Sequence, residues 1–108
     1  MYKNVASQKL AVFAWDGAAG APKTGDAANI TAQISKDGAA CDATNDTNPT
    51  ELDAVNAPGV YIFDLLQEET NADLIVVTPS SSTADVNFRP SIIYTNPVTS
   101  MGAIADAV

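Results

Sequence analysis

The sequence predicts an all-β fold, an antiparallel sandwich of about six or seven short strands with one short helical turn, and three observations predict it. Ala28, Ile30, Ala32 and Ile34 alternate with Asn29, Thr31, Gln33 and Ser35, the period of a strand with one buried and one wet face. Turn formers separate the apolar runs at the intervals of a sandwich or barrel. No segment sustains a helical period.

Taken in chain order, Lys9 to Gly17 (KLAVFAWDG) is the first strand, with Leu10 and Val12 on one face and Phe13 and Trp15 on the other. Apolar side chains on both faces imply burial on both sides, or contact with another subunit. AAGAPKTGDAA follows as a loop punctuated by Gly20, Pro22 and Gly25. The alternating strand comes next and ends at Asp37-Gly38, a pair suited to the positive φ of a tight hairpin turn. AACDAT is then expected to return antiparallel.

Asp42 to Gly59 is dominated by turn formers, with a short strand at Thr50-Glu51-Leu52. GVYIFDL places Tyr61, Phe63 and Leu65 on one face and Val60 and Ile62 on the other, and the β-branched run DLIVVTP is expected at the centre of a sheet. Between them Asp64 and Gln67 have the form of a capping box for a single turn through Leu65 to Glu69, with Leu65 or Leu66 anchoring it on the core. SSSTAD is a connection. VNFRPSIIYT closes the fold as a strand or strand pair, with Pro90 at an edge or bulge because it cannot donate a ladder bond. Residues 1–8 and 97–108 flank the 9–96 sandwich as N- and C-terminal arms.

At 108 residues the chain has the size of one domain with a modest core. Thirteen acidic and five basic side chains give a net charge of −8, and Lys3, Lys9, Lys23, Lys36 and Arg89 form no stripe. That pattern disfavours nucleic acid and anionic membranes, whose phosphates are bound by clustered cations. With no histidine and the single Cys41 there is no intrachain disulfide and no His-based relay, which fits a reducing compartment. The opening MYKNVASQKLAVFAWDG lacks the apolar core of a signal peptide and reads as the start of a complete, soluble, unexported product.

Glu68, Glu69 and Asp73 are close enough in sequence to suggest paired catalytic carboxylates, but they occupy one turn with no basic neighbour and read as a solvated corner. Asp42, Asn45, Asp46, Asn48, Glu51 and Asp53 offer oxygen ligands for calcium. Their spacing departs from the EF-hand, with Thr44 and Thr47 where a ligand and the turn glycine belong, so an Asx-rich surface loop is the ordinary reading. GAAGAPKTGD lacks the phosphate-loop pattern. Cys41 has no base to activate it and reads as a buried or half-buried side chain. Asn29-Ile30-Thr31 and Asn45-Asp46-Thr47 match glycosylation sequons without an export signal to give them meaning. Trp15, Tyr61, Phe63, Phe88 and Tyr94 are expected mainly in the core. Neither a catalytic residue nor a metal or other cofactor is expected.

Three stretches, PKTGDAANITAQISKDGAA, NPTELDAVNAPGVYIFDLLQEETNADLIVV and VNFRPSIIYT, together resemble a small Ig-like β-sandwich module found in structural proteins of tailed bacteriophages. The resemblance covers about residues 9 to 96, with TGDAANITAQISKDG, the TEL and GVY pair and DLLQEETNAD as its most specific elements. The family usually has a second glycine after Asp-Gly, where this chain has Ala39.

The resemblance implies a non-enzymatic virion protein, foremost a capsid decoration or cement subunit that stabilises the head shell. Such a subunit would be made in the host cytoplasm, bind the major capsid protein or other virion proteins, and form a homo-oligomer. A neck, tail or baseplate component, and a carbohydrate-binding or adhesion module, are the alternatives. Partner contact is expected at Met1, Tyr2, Lys3, Trp15, Pro97, Val98, Met101 and Ile104.

Overall fold

The computed structural model describes residues 1–97. Its strands are β1 (Tyr2–Lys3), β2 (Gln8–Phe13), β3 (Trp15–Asp16), β4 (Ala21–Pro22), β5 (Ile30–Lys36), β6 (Asp42–Ala43), β7 (Thr50–Asp53), β8 (Ala57–Leu65), β9 (Leu74–Ser81), β10 (Val86–Asn87), β11 (Ser91–Tyr94) and β12 (Asn96–Pro97). Two 3-10 turns, Ala27–Asn29 and Glu68–Thr70, are the helical elements among the described residues. Six strands, β2, β5, β7, β8, β9 and β11, have four or more residues.

Those six, with the two-residue β6, form an antiparallel all-β sandwich. One sheet has the order β2-β8-β7, and the other β11-β9-β5-β6. Leu10 and Val12 on β2 and Tyr61, Phe63 and Leu65 on β8 share one buried cluster with Ile30, Ala32 and Ile34 on β5 and Ile75 and Val77 on β9. The period-two patterns therefore meet face to face, and burial of their apolar area is the main favourable term. β9 lies between β5 and β11, the central place its β-branched run predicts.

Asp37 and Gly38 both adopt left-handed φ, +53° and +78°, and the Ala39 N–H reaches the Lys36 carbonyl at 3.1 Å. The return strand is shorter than expected: β6 pairs only Ala43 with Gln33 and Asp42 with Ile34. The Asp37 carboxylate instead accepts the N–H groups of Asp73 and Leu74, both at 3.0 Å, and ties the turn to the start of β9. Gly59 has φ +85°, and a Cβ there would sit 2.9 Å from the Ala14 carbonyl oxygen. Glycine at 59 thus supplies the positive φ and leaves room for the Ala14 carbonyl, the Phe13 ring and Pro22 at the end of the β2–β8 ladder.

Several expectations are corrected. Ala28 is exposed, because Ala27–Asn29 turns before the strand starts at Ile30. Cys41 is exposed on the short return of the hairpin. The turn after β8 forms later than the capping box predicts, and Asp64 does not cap it: its carboxylate pairs with Lys9 across the β2–β8 ladder. Leu65 is the core anchor, whereas Leu66 is exposed.

The segment 1–8 lies against the sandwich. The Asn4 N–H bonds the Thr70 carbonyl, the Val5 N–H bonds Thr70 Oγ1, and β1 pairs in parallel with β12. Gln8 fastens the return into β2 by accepting the Tyr2 N–H and donating to the Tyr2 and Val5 carbonyls.

Candidate interaction surface

The carboxylate cluster separates into three different environments. Glu69 is buried; one oxygen accepts the Leu66 N–H at 2.8 Å and the other the Asn45 N–H at 3.1 Å. Glu68 is exposed. Asp73 is exposed and pairs with Lys3 at 3.0 Å. The solvated corner is thus corrected for Glu69, which holds the turn and the 42–53 loop together.

In that loop the oxygens serve the backbone. Asp46 accepts the Asp64 N–H at 2.8 Å, Glu51 accepts the Gly25 N–H at 3.1 Å, and Asp53 accepts the Val55 and Asn56 N–H groups at 3.0 Å each. Hydrogen bonds from the Asn56 backbone, the Asn56 side chain and the Val55 backbone lower the Asp53 pKa. Asn48 donates to the Ala28 and Ile30 carbonyls. Among the described residues no three His, Cys, Asp or Glu side chains converge as a metal site would require.

The aromatic side chains divide between core and surface. Tyr61 and Phe63 are fully buried, and Phe88 packs partly against the core. Trp15 is 42 % exposed and Tyr94 74 % exposed, so the expectation of a core role fails for both. Trp15 lies beside Phe13, itself 48 % exposed, with ring centroids 6.3 Å apart. Both project from the side of the chain opposite Leu10 and Val12. In the isolated chain, the first strand is therefore buried on one side only.

Phe13 belongs to an apolar outer face. It stands opposite Val60, as Ala11 does opposite Ile62, and Leu52 is exposed on β7. Beside this face a groove of about 480 Å³ runs along the open side of β2, between Ala11, Phe13 and Trp15 on one bank and Phe88, Arg89 and Pro90 on the other. The second sheet has its own apolar patch at Ile92, 65 % exposed, and Tyr94, opposite Val76 and Leu74. Exposed apolar area concentrated in this way marks a contact surface.

Of the residues expected to meet a partner, Trp15 lines the groove, while Met1, Tyr2, Lys3 and Pro97 gather at the opposite end of β2 through the β1–β12 pair. Val98, Met101 and Ile104 lie outside the described residues. Phe13 was visible in sequence as an apolar residue on the wrong parity. Phe88 and Arg89 were not, because only the fold brings them across from β2. Among the described residues no helix is long and apolar enough to cross a membrane. Comparison with protein-family models, curated proteins and solved structures finds no match to this chain.

Proposed function

We propose that this chain is a structural protein of a tailed-bacteriophage virion, a capsid decoration or cement subunit that binds the head shell and stabilises it by contact with the major capsid protein. One observation carries the reading: Phe13 on β2, Trp15 on the adjoining β3, and Ile92 and Tyr94 on β11, large side chains the sandwich core does not use, stand exposed. In a chain of net charge −8, water-facing rings and aliphatics are best explained by surfaces that are covered in an assembly. The sequence resemblance supplies the kind of assembly, and the carboxylates' engagement in turns and ladders supports a role without catalysis.

The test is localisation and copy number in intact particles by electron microscopy. Density on the outer shell, at copy numbers on the order of hundreds, fits a cement subunit of an icosahedral lattice; about six or twelve copies on the tail axis fits a neck or baseplate part. Absence from the particle overturns the reading. The Phe13–Trp15 pair beside a groove favours one further reading, a carbohydrate-binding module. A specific glycan-array hit that is lost in Trp15→Ala would replace the first reading.

A further inference from the structure

We propose that the open edge of β2 is a docking lane for the C-terminal residues of a partner protein, added as a strand parallel to β2 with their terminal carboxylate on Arg89. The inference goes beyond the preceding reading and does not rest on it, since the binding is a property of the isolated chain.

The lane follows from two ladders. The Ala14 N–H bonds the Gly59 carbonyl at 2.8 Å, and the β2–β8 register runs from Gln8 opposite Leu65 to Phe13 opposite Val60. An antiparallel ladder alternates, so Gln8, Leu10 and Val12 turn their peptide groups to β8 while Lys9, Ala11 and Phe13 turn theirs outward. Among the described residues no hydrogen bond reaches those outward groups. On the same outward side β10 takes the positions further along: Asn87 lies opposite Trp15, and the Gly17 N–H bonds the Asp85 carbonyl at 2.8 Å.

Carried further, the β10 register would set Arg89 against Phe13 and Ser91 against Ala11. The chain leaves instead. Pro90 has no N–H to donate, and Ser91 pairs with Val77 in the other sheet. The space beside Lys9, Ala11 and Phe13 is therefore a strand position that no described residue fills, closed at its Phe13 end by the departing chain. A row of unpaired peptide groups of this kind is a template for strand addition.

Charge at the closed end selects the occupant. Asn87 already holds Trp15, so a peptide in the lane ends beside Phe13. Arg89 lines the groove there and makes no ion pair among the described residues. None of the groove-lining residues is a carboxylate, in a chain that has thirteen. An amino terminus would set an ammonium beside the guanidinium, whereas a carboxyl terminus sets there a carboxylate that the guanidinium fork binds through two hydrogen bonds. That choice fixes the direction, parallel to β2.

From Lys9 to Phe13 the edge is about 15 Å long, enough for about five or six peptide residues. Alternate side chains of an added strand point to opposite faces, one set toward Phe13 and Trp15 and the other toward Val12 and Phe88, so apolar residues suit both. The Phe13 and Trp15 rings are inclined at 37°, which gives side chains two walls and denies a sugar ring one flat platform.

The test titrates the purified full-length chain with N-acetylated peptides of about six residues, alternating Thr with Val, Ile, Leu or Phe and ending in a free carboxylate. Trp15 is the single tryptophan and lines the groove, so its emission reports occupancy while calorimetry gives the affinity. At least one free-acid peptide should bind with a Kd below about 100 μM, and its C-terminal amide should bind about tenfold or more weakly. Arg89→Gln should weaken the free acid by the same factor and leave the amide unchanged. N-methylation along the peptide should abolish binding at every second residue and be tolerated between, as one hydrogen-bonded edge requires; this readout leaves the protein untouched and needs no variant to fold.

The inference is overturned if no peptide binds at about 1 mM, which is also the result for a groove filled by the chain's own residues 98–108. Equal binding of acid and amide, full binding by a folded Arg89→Gln chain, or an amidated peptide with an internal Asp that matches the free acid overturns it as well. So does a Trp15 response to oligogalacturonate without one to the peptides, which assigns the groove to a glycan.

Discussion

The hydroxyl of Tyr61 donates to the Lys23 carbonyl at 2.8 Å and so fixes the loop before β5 to the centre of the sandwich. The same oxygen accepts the Asp26 N–H at 3.1 Å, and the Tyr61 ring is wholly buried. Burial pushes the phenol pKa above 10.0, against the opposing effect of the Asp26 hydrogen bond, so the hydroxyl remains a neutral donor at physiological pH. Tyr61→Phe keeps the ring and orphans both loop groups. A loss of about 1–3 kcal/mol, measured as a lower urea midpoint at unchanged slope, is the expected outcome.

Asp26 should give the fold a distinct acid dependence. Burial raises its pKa, but hydrogen bonds from Ser81, Thr83 and Asn29, with the charge of Lys23, outweigh burial and lower it from 3.8. Ser81 and Thr83 donate at 2.6 Å each, and Asn29 at 3.0 Å. A carboxylate with a lowered folded pKa contributes fully above its unfolded value and loses that contribution as pH falls through the folded one. Asp26→Asn should therefore cost about 2 kcal/mol at pH 7, and the gap to the unaltered chain should narrow below about pH 4. Parallel stability curves from pH 7 to pH 2.5 would contradict this.

What could be read from the sequence was whatever local period decides. Ile30, Ala32 and Ile34 are buried as the alternation requires, Tyr61, Phe63 and Leu65 likewise, and Asp37-Gly38 turns as its two residues demand. What could not be read depends on residues far along the chain. Glu69 resembles Glu68 until Asn45, 24 residues earlier, offers its N–H. Trp15 looks like a core residue until Asn87 pairs with it and the chain past Asn87 forms a groove wall instead of a covering strand. Asp64 has the sequence of a cap, yet Lys9, distant in sequence, takes its carboxylate across the ladder.

Glu68 and Glu69 therefore offer a direct comparison. Glu69→Ala removes a buried acceptor from the Leu66 and Asn45 N–H groups and should destabilise by about 1–3 kcal/mol in urea denaturation. Glu68→Ala changes an exposed charge and should stay within about 0.5 kcal/mol. Similar losses for both would mean that the turn does not distinguish its two acids.

Phe13 and Trp15 separate contact from folding. Their rings are about half exposed, at 48 % and 42 %, and face away from the cluster built on Leu10, Val12 and Tyr61. Phe13→Ser with Trp15→Ser should therefore cost less stability than a single core truncation such as Phe63→Ala, for which about 3–5 kcal/mol is expected. If this face is covered in the assembled virion, the same double variant should bind capsid shells lacking the protein at least tenfold more weakly, since buried aromatic anchors dominate interface energy. A co-sedimentation titration with such shells measures the binding, and a thermal melt of the free chain measures the fold. Full binding by a well-folded double variant would remove this face from the contact and turn the same test to Ile92 and Tyr94, exposed on the other sheet.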